Sequence, residues 1–211
     1  HEVFKISQKF DADVIVIGGG PAGSTVARYA AEGGLEVIVI DGRDPIGSPL
    51  QCGELVPTNE EMKRLCPDVP DVDDLYQTPE HAISRTVDKM HLVPPSGKPL
   101  VYDFEGYVLN RVAHDEFLVD LAKKSGARYI VGKRVKIVKD NDVIIRGGGK
   151  YSAKIIVDAG GHNGPIRREY WNEKSLKIPV KFVLMDGEFW RCCRIAFWFN
   201  GSRRICPVSY T

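Results

Sequence analysis

An α/β fold built on a mostly parallel sheet is what the sequence predicts, and three observations predict it. Two short, wholly apolar runs, Val14–Ile17 and Val37–Ile40, read as strands buried on both faces. Between them lie a glycine turn and an alanine-rich stretch, the composition of a crossover helix. Later in the chain a helical pattern over Arg111–Ser125 again precedes a short segment, Ala127–Val131, read as a third parallel strand.

The elements follow in order. Gly18, Gly20 and Gly23 form G-x-G-x-x-G directly after the first strand. In that pattern Gly18 makes the tight turn, Gly20 lets a diphosphate approach the backbone, and Gly23 lets the helix pack closely on the strand. The free N–H groups and dipole of the helix that follows favour negative charge. That helix, Ala22–Ala31, is closed by Gly33 and Gly34. Asp41 follows the second strand at the spacing where a carboxylate accepts hydrogen bonds from ribose hydroxyls. Strand, glycine turn, helix, strand and acid in register predict a Rossmann-like site for an ADP-containing dinucleotide; the spacing alone admits NAD as well as FAD. Ser24 is a candidate for capping or contacting a phosphate, and Arg43 for contacting the adenosine part.

Gly42–Pro57 is a loop dense in glycine and proline, the kind of segment that carries function on a rigid scaffold. Thr58–Pro99 is polar, with a helix candidate at Asn59–Leu65 and one or two strands over His81–Val93. We read it as an insertion that returns to the nucleotide domain near Tyr107. In Arg111–Ser125 the apolar stripe is Phe117, Leu118, Leu121 and Ala122, with Gly126 at the C-cap. Arg134–Lys139, Val143–Arg146 and Tyr151–Ala153 read as an antiparallel meander inserted in the crossover. Ile155–Val157 resumes the parallel sheet and ends in the turn DAGGHNGP. Phe189–Thr211 concentrates tryptophan, cysteine and arginine without clear periodicity and reads either as the start of a strand or as an atypical ending.

Composition narrows the function. The 211 residues carry a net charge of +1, so no basic stripe points to nucleic acid. No apolar run reaches membrane-spanning length, and the first residues lack a signal-peptide core, which together favour the cytoplasm. The absence of an initiator methionine suggests a processed chain or a fragment. Five cysteines without C-x-x-C or cysteine/histidine spacing predict neither a disulfide framework nor a metal site.

Three segments resemble the geranylgeranyl reductase family of flavoproteins, within the class that shares the p-hydroxybenzoate hydroxylase fold. Pro45–Glu54, PIGSPLQCGE, taken with the opening motif, is similar to the R-P-x-x-G-S-P-x-x-C-G-E loop of archaeal members that hydrogenate geranylgeranyl groups of membrane lipids. Gly106–Ala127 looks like the G-Y-V-L-x-R-x-x-x-D-x-x-L helix entry, with Arg111 on the arginine that lies near the flavin. Ile155–Arg168 is similar to the strand and turn that precede the substrate domain, and places Gly161 at the cofactor. Ala159-Gly160-Gly161 stands where many relatives have A-D-G or A-T-G, so one side-chain hydrogen bond is missing.

The resemblance implies FAD as cofactor, held at Gly18, Gly20, Gly23, Ser24, Asp41, Arg43, Arg111 and Gly161. It implies Cys52 as the acid or alkene-positioning group, with Gly53 and Glu54 on the substrate side. The implied partners are a prenylated lipid and an electron donor, NAD(P)H or a small electron carrier, with peripheral membrane contact allowed. Residues 11–180 would be the FAD-binding domain, with 44–105 an insertion on the substrate side and 181–211 the start of a substrate domain. The family's G-Y-x-W-x-F-P and G-D-A motifs do not occur, so the chain is expected to be an N-terminal half. The alternatives are a flavin-dependent monooxygenase or halogenase of the same fold, or a non-catalytic fragment.

Overall fold

The computed structural model describes residues 9–49, 52, 54–94, 97–170, 193–196 and 209–210. These fall into two compact units, one from segments 1–49 and 115–176, the other from 50–114 and 177–211.

The first unit is built on strand β1 (Ala12–Ile17), helix α1 (Pro21–Glu32) and strand β2 (Val37–Ile40). β1 pairs in parallel with β2, Val14 opposite Val37 and Ile17 opposite Ile40. Alternation along these strands sends side chains to opposite faces, and both faces are covered. Val14, Val16, Val37 and Val39 pack with Ala27 of α1 and with Ala122 and Ala127. Ile15, Ile17, Ile38 and Ile40 pack with Val138, Val143 and Ile145. This double cover is why the strands are continuous apolar runs, and each such side chain contributes about 1.5–3 kcal/mol of burial. The rest of the sheet is β6 (Arg128–Ile130), β7 (Val135–Lys139), β8 (Asp142–Ile145) and β9 (Lys150–Asp158), in the order β6-β2-β1-β9-β8-β7. The expected third parallel strand is β6, paired with β2. The expected meander is β7-β8-β9, antiparallel throughout.

One difference is instructive. The last meander strand and the resumed parallel strand are a single nine-residue strand, β9. Its first residues pair with β8, while Ala153–Asp158 lie parallel to β1. Neither glycine nor proline interrupts Ser152-Ala153-Lys154, so nothing divides it.

Helix α1 begins with Pro21 at its first position and has no side-chain cap. Helix α4 (Arg111–Lys124) follows Asn110, whose Oδ1 accepts from Ala113 N–H at 3.2 Å. Its buried residues are Asp115, Val119 and Ala122; of the expected stripe, Phe117, Leu118 and Leu121 are half-buried and Ala122 is enclosed.

The second unit carries β3 (Leu55–Pro57), α2 (Asn59–Leu65), α3 (Val72–Leu75), β4 (Ile83–Val93), β5 (Leu100–Leu109), β10 (Cys193–Ala196) and β11 (Ser209–Tyr210). β3, β4 and β5 are antiparallel neighbours, and β10 runs parallel to β4. The helix expected at Asn59–Leu65 is α2, capped by the Thr58 hydroxyl, which accepts from Glu61 N–H at 3.2 Å. β5 was not expected, because Asp103 and Glu105 interrupt its apolar pattern; most of its outer residues are exposed. Of Phe189–Thr211, only β10 and β11 are among the described residues.

Two tyrosines test the packing of the two units separately. Burial pushes Tyr76 and Tyr129 up to about 12, against hydrogen bonds with Thr78 and Ser24 respectively, which pull them down. A folded-state pKa above the usual value of about 10 means the proton is held more tightly in the fold. The stability each phenol adds is therefore complete below pH 10 and lost as pH rises through about 12. Absorbance titration at 295 nm is expected to show a late tyrosine component that Tyr76→Phe and Tyr129→Phe each reduce. Unchanged titration curves in both variants would contradict the burial described.

Candidate functional site

The first unit gathers the glycine turn and the acid at the carboxyl ends of neighbouring strands, where ligands of open α/β sheets bind. Gly18 has φ +99°, a conformation that L side chains rarely adopt, and a Cβ there would crowd the Ala159 carbonyl carbon at 2.8 Å. A Cβ at Gly23 would overlap the Gly18 carbonyl oxygen, so helix α1 approaches the turn only because position 23 is glycine. Ala159 N–H donates to Ile17 O at 2.8 Å, which holds the DAGG turn against Gly18. Asp158 stiffens that turn by accepting from Gly160 N–H at 3.0 Å and Ile166 N–H at 2.8 Å. Gly161 opens the 3₁₀ turn Gly161–Asn163 with φ +64°, exposed, and with nothing within 4 Å of the place a Cβ would take.

Asp41 is 4% exposed, and both its oxygens are engaged. Oδ2 accepts from Gly19 N–H at 2.7 Å and Arg43 Nη2 at 3.1 Å; Oδ1 accepts from Arg43 N–H at 2.7 Å and Arg43 Nε at 3.1 Å. Burial pulls this carboxyl toward its neutral form, but the hydrogen bonds and the Arg43 charge outweigh it and hold the pKa below the ordinary aspartate value. Gly20 presents an open face to this group: nothing but Arg43 Nη2, at 3.6 Å, lies near the position its Cβ would take.

Ser24 is fully buried. Its hydroxyl donates to Gly19 O at 2.9 Å and accepts from Tyr129 Oη at 2.9 Å. The hydroxyl that the sequence offered to a phosphate is thus turned toward the loop carbonyl. Two members of this cluster were missed by the sequence reading. A Cβ on Gly19 would stand 2.7 Å from Ile46 Cδ1 and 3.4 Å from Tyr129 Cε1. For Gly19 the available signal was its place in the middle of three consecutive glycines. Tyr129 is more than a hundred residues from Ser24, and no local pattern marks it.

In the second unit, Glu54 N–H donates to Cys52 Sγ at 3.4 Å. Glu54 has φ +62°, unusual for a residue with a side chain. Burial raises the Glu54 carboxyl pKa above its ordinary value, and the Arg111 charge pulls it down by less. Arg111 is half-buried at the start of α4. Gly53 lies outside the described residues.

The fold is p-hydroxybenzoate hydroxylase-like, with a glycine turn and a buried acid at the carboxyl ends of neighbouring strands. Residues 13–163 match the family model described as FAD dependent oxidoreductase, and the chain belongs to that family. It is 34% identical over 159 residues to the "uncharacterized protein in nifH2 5′ region" of Methanosarcina barkeri, covering 74% of this chain and 86% of that one. It is 34% identical over 152 residues to digeranylgeranylglycerophospholipid reductase of Picrophilus torridus, covering 68% of this chain and 36% of that one. A crystal structure of a geranylgeranyl bacteriochlorophyll reductase-like protein from Thermoplasma acidophilum superposes with TM-score 0.56 at 32% identity, covering 69% of this chain and 38% of that one. The chain therefore spans well under half the length of these two reductase relatives. No helix among the described residues is long and apolar enough to cross a membrane.

The residues present fit the cofactor of this family. The open Gly20 face and the uncapped start of α1 suit a diphosphate, and the acid at the end of β2 suits a ribose. The closeness of Gly23 to the turn gives a direct test. Gly23→Ala is expected to destabilise the first unit by at least about 1–3 kcal/mol, the usual range for overpacking, because backbone must move. Urea unfolding of the variant with a wild-type midpoint would show that the approach of α1 to Gly18 is looser than described.

Proposed function

We propose that the protein reduces carbon–carbon double bonds of prenylated lipids with FAD as its resident cofactor. The observation that carries this reading is the buried Asp41–Gly19 clamp beside the open Gly20 face, in a chain whose relatives include a digeranylgeranylglycerophospholipid reductase. Residues 11–180 would form the FAD-binding domain around the insertion 44–105, and 181–211 would begin the substrate domain.

Gly18, Gly20 and Gly23 shape the diphosphate cradle, and Asp41 takes the adenosine ribose. Arg43 Nε and Nη2 now stand on carboxylate oxygens that ribose hydroxyls would use, so Arg43 releases Asp41 in part and turns to the diphosphate, whose charge compensates it. Gly161, in its exposed turn, and Arg111 would complete the cofactor contacts. Reduced flavin supplies a hydride to one alkene carbon when bound.

The second carbon needs a proton, and Cys52 is its source. The Glu54 N–H donates to Sγ at 3.4 Å and steadies its place in the loop. Glu54, with its carboxyl pKa raised by burial, and Gly53 stand on the substrate side, and solvent restores the thiol. An electron donor, NAD(P)H or a small carrier, would return the cofactor to its reduced form. A lipid substrate brings the protein to a membrane surface.

Two experiments test these roles. Asp41→Ala is expected to weaken FAD binding tenfold to a hundredfold, since lost charge-assisted bonds are worth on the order of 1.5–3 kcal/mol. Unchanged affinity in a fluorescence titration would remove Asp41 as the ribose ligand. Cys52→Ala is expected to keep FAD bound and to be reduced normally by dithionite. Oxidation of its reduced flavin by prenyl lipid in a single turnover should slow by ~10²–10⁴-fold. A wild-type rate in that variant would return Cys52 to loop filler.

A further inference from the structure

We propose that Tyr129 is a positioning residue for the cofactor's diphosphate: acting through Ser24, it fixes the Gly19 peptide and so the amides of the glycine turn. The inference rests on the FAD reading above and extends it to a residue in β6 that neither the motif nor the resemblance marks.

The Gly19 peptide is held at both ends. Its N–H donates to Asp41 Oδ2 at 2.7 Å, and its carbonyl accepts from Ser24 Oγ at 2.9 Å. Ser24 has no exposed surface, and its oxygen accepts from Tyr129 Oη at 2.9 Å. Two hydrogen bonds thus run in one direction, from phenol to serine to the loop carbonyl, and a third, from Gly19 N–H to the carboxylate, closes the other side of the same residue.

The direction matters. A serine in a helix readily bonds back to the carbonyl four residues earlier, here Gly20. Donation instead to Gly19, one residue further back, aims the hydroxyl at the turn. The proton from Tyr129 occupies one lone pair of Oγ and leaves the Ser24 proton to Gly19. The phenol stays protonated through the working pH range, because burial pushes it up to about 12. Phenylalanine would fill the same space and leave the serine undirected.

β6 is placed to serve both halves of the site. Ile130 O accepts Asp41 N–H at 3.0 Å, while its neighbour Tyr129 reaches Ser24. The Tyr129 ring also stands against Gly19, 3.4 Å from where a Cβ there would lie. A three-residue strand therefore sets the ribose acid through its backbone and the diphosphate turn through a side chain.

The test is a double-mutant cycle on binding, with FAD and ADP as probes. Tyr129→Phe and Ser24→Ala are each expected to raise the dissociation constants for both probes about tenfold. The double variant should be no weaker than the weaker single, because both break one chain. A hundredfold loss in the double variant, the product of independent effects, overturns the inference. So does a lowered unfolding midpoint with unchanged dissociation constants, the signature of a purely structural tyrosine. Should Tyr129→Phe fail to fold, Ser24→Ala cuts the chain from its other end, and wild-type affinity there has the same force. Wild-type protein that binds neither FAD nor ADP overturns the cofactor reading and this inference together. Wild-type binding with unaffected variants overturns this inference alone.

Discussion

A buried carboxylate must be fully hydrogen-bonded or lose its charge, and this requirement at Asp41 organises the first unit. The four lone-pair positions of the group are satisfied by Gly19 N–H and by the backbone and guanidinium of Arg43. Three separate pieces of backbone are thereby tied to the end of β2. The glycine turn comes through Gly19, the loop after β2 through Arg43, and β6 through the bond from Asp41 N–H to Ile130 O. Lys133 N–H, donating to Asp41 O at 3.0 Å, adds the chain that leaves β6. Loss of the charge would loosen the glycine turn and the Arg43 loop together, while the backbone bonds of Asp41 to β6 would remain.

The glycines answer a second constraint, space. Two turns, one after β1 and one after β9, meet at the carboxyl end of the sheet. Gly18 faces the Ala159 carbonyl, and Gly23 faces the Gly18 carbonyl. Gly20 differs, because among the described residues only the end of a flexible arginine lies near it. The G-x-G-x-x-G pattern therefore contains two positions that protein packing demands and one that it leaves open. The open one is where a ligand can reach backbone N–H groups.

This division explains what was legible in the sequence. Val14–Ile17 and Val37–Ile40 could be read because burial on both faces leaves an unbroken apolar run; the third strand at 128–130, an edge strand with Arg128 exposed, could be read from its place after a helix. The packing tasks of Gly18 and Gly23 could be read because they are local to one strand–turn–helix unit. Tyr129 could not, since its partner Ser24 is brought to it by the parallel pairing of β2 with β6. The hidden continuity of β9 has a similar cause: its two halves obey different neighbours, β8 on one side and β1 on the other, and the sequence shows the change of neighbour as a change of element. β5 was lost to Asp103 and Glu105, which point to solvent from an antiparallel sheet whose small core is Val87 and Val108 with Leu55 and Phe104. Ser24 was read correctly as a polar group at a helix start, but its orientation is a tertiary fact.

The second unit solves a different problem with a strained residue. Glu54 holds φ +62°, which costs a side-chain-bearing residue roughly 1–2 kcal/mol. Such strain persists where the surroundings enforce it, and it gathers at functional sites. Here the enforcement is visible: Leu109 N–H donates to Glu54 O at 3.0 Å, and β3, which begins at the next residue, pairs with β5. Held in this way, the peptide of Glu54 turns its N–H toward Cys52 Sγ. The proposed proton donor is thus supported by a fixed dipole that does not itself titrate, and the strain at Glu54 is what aims it.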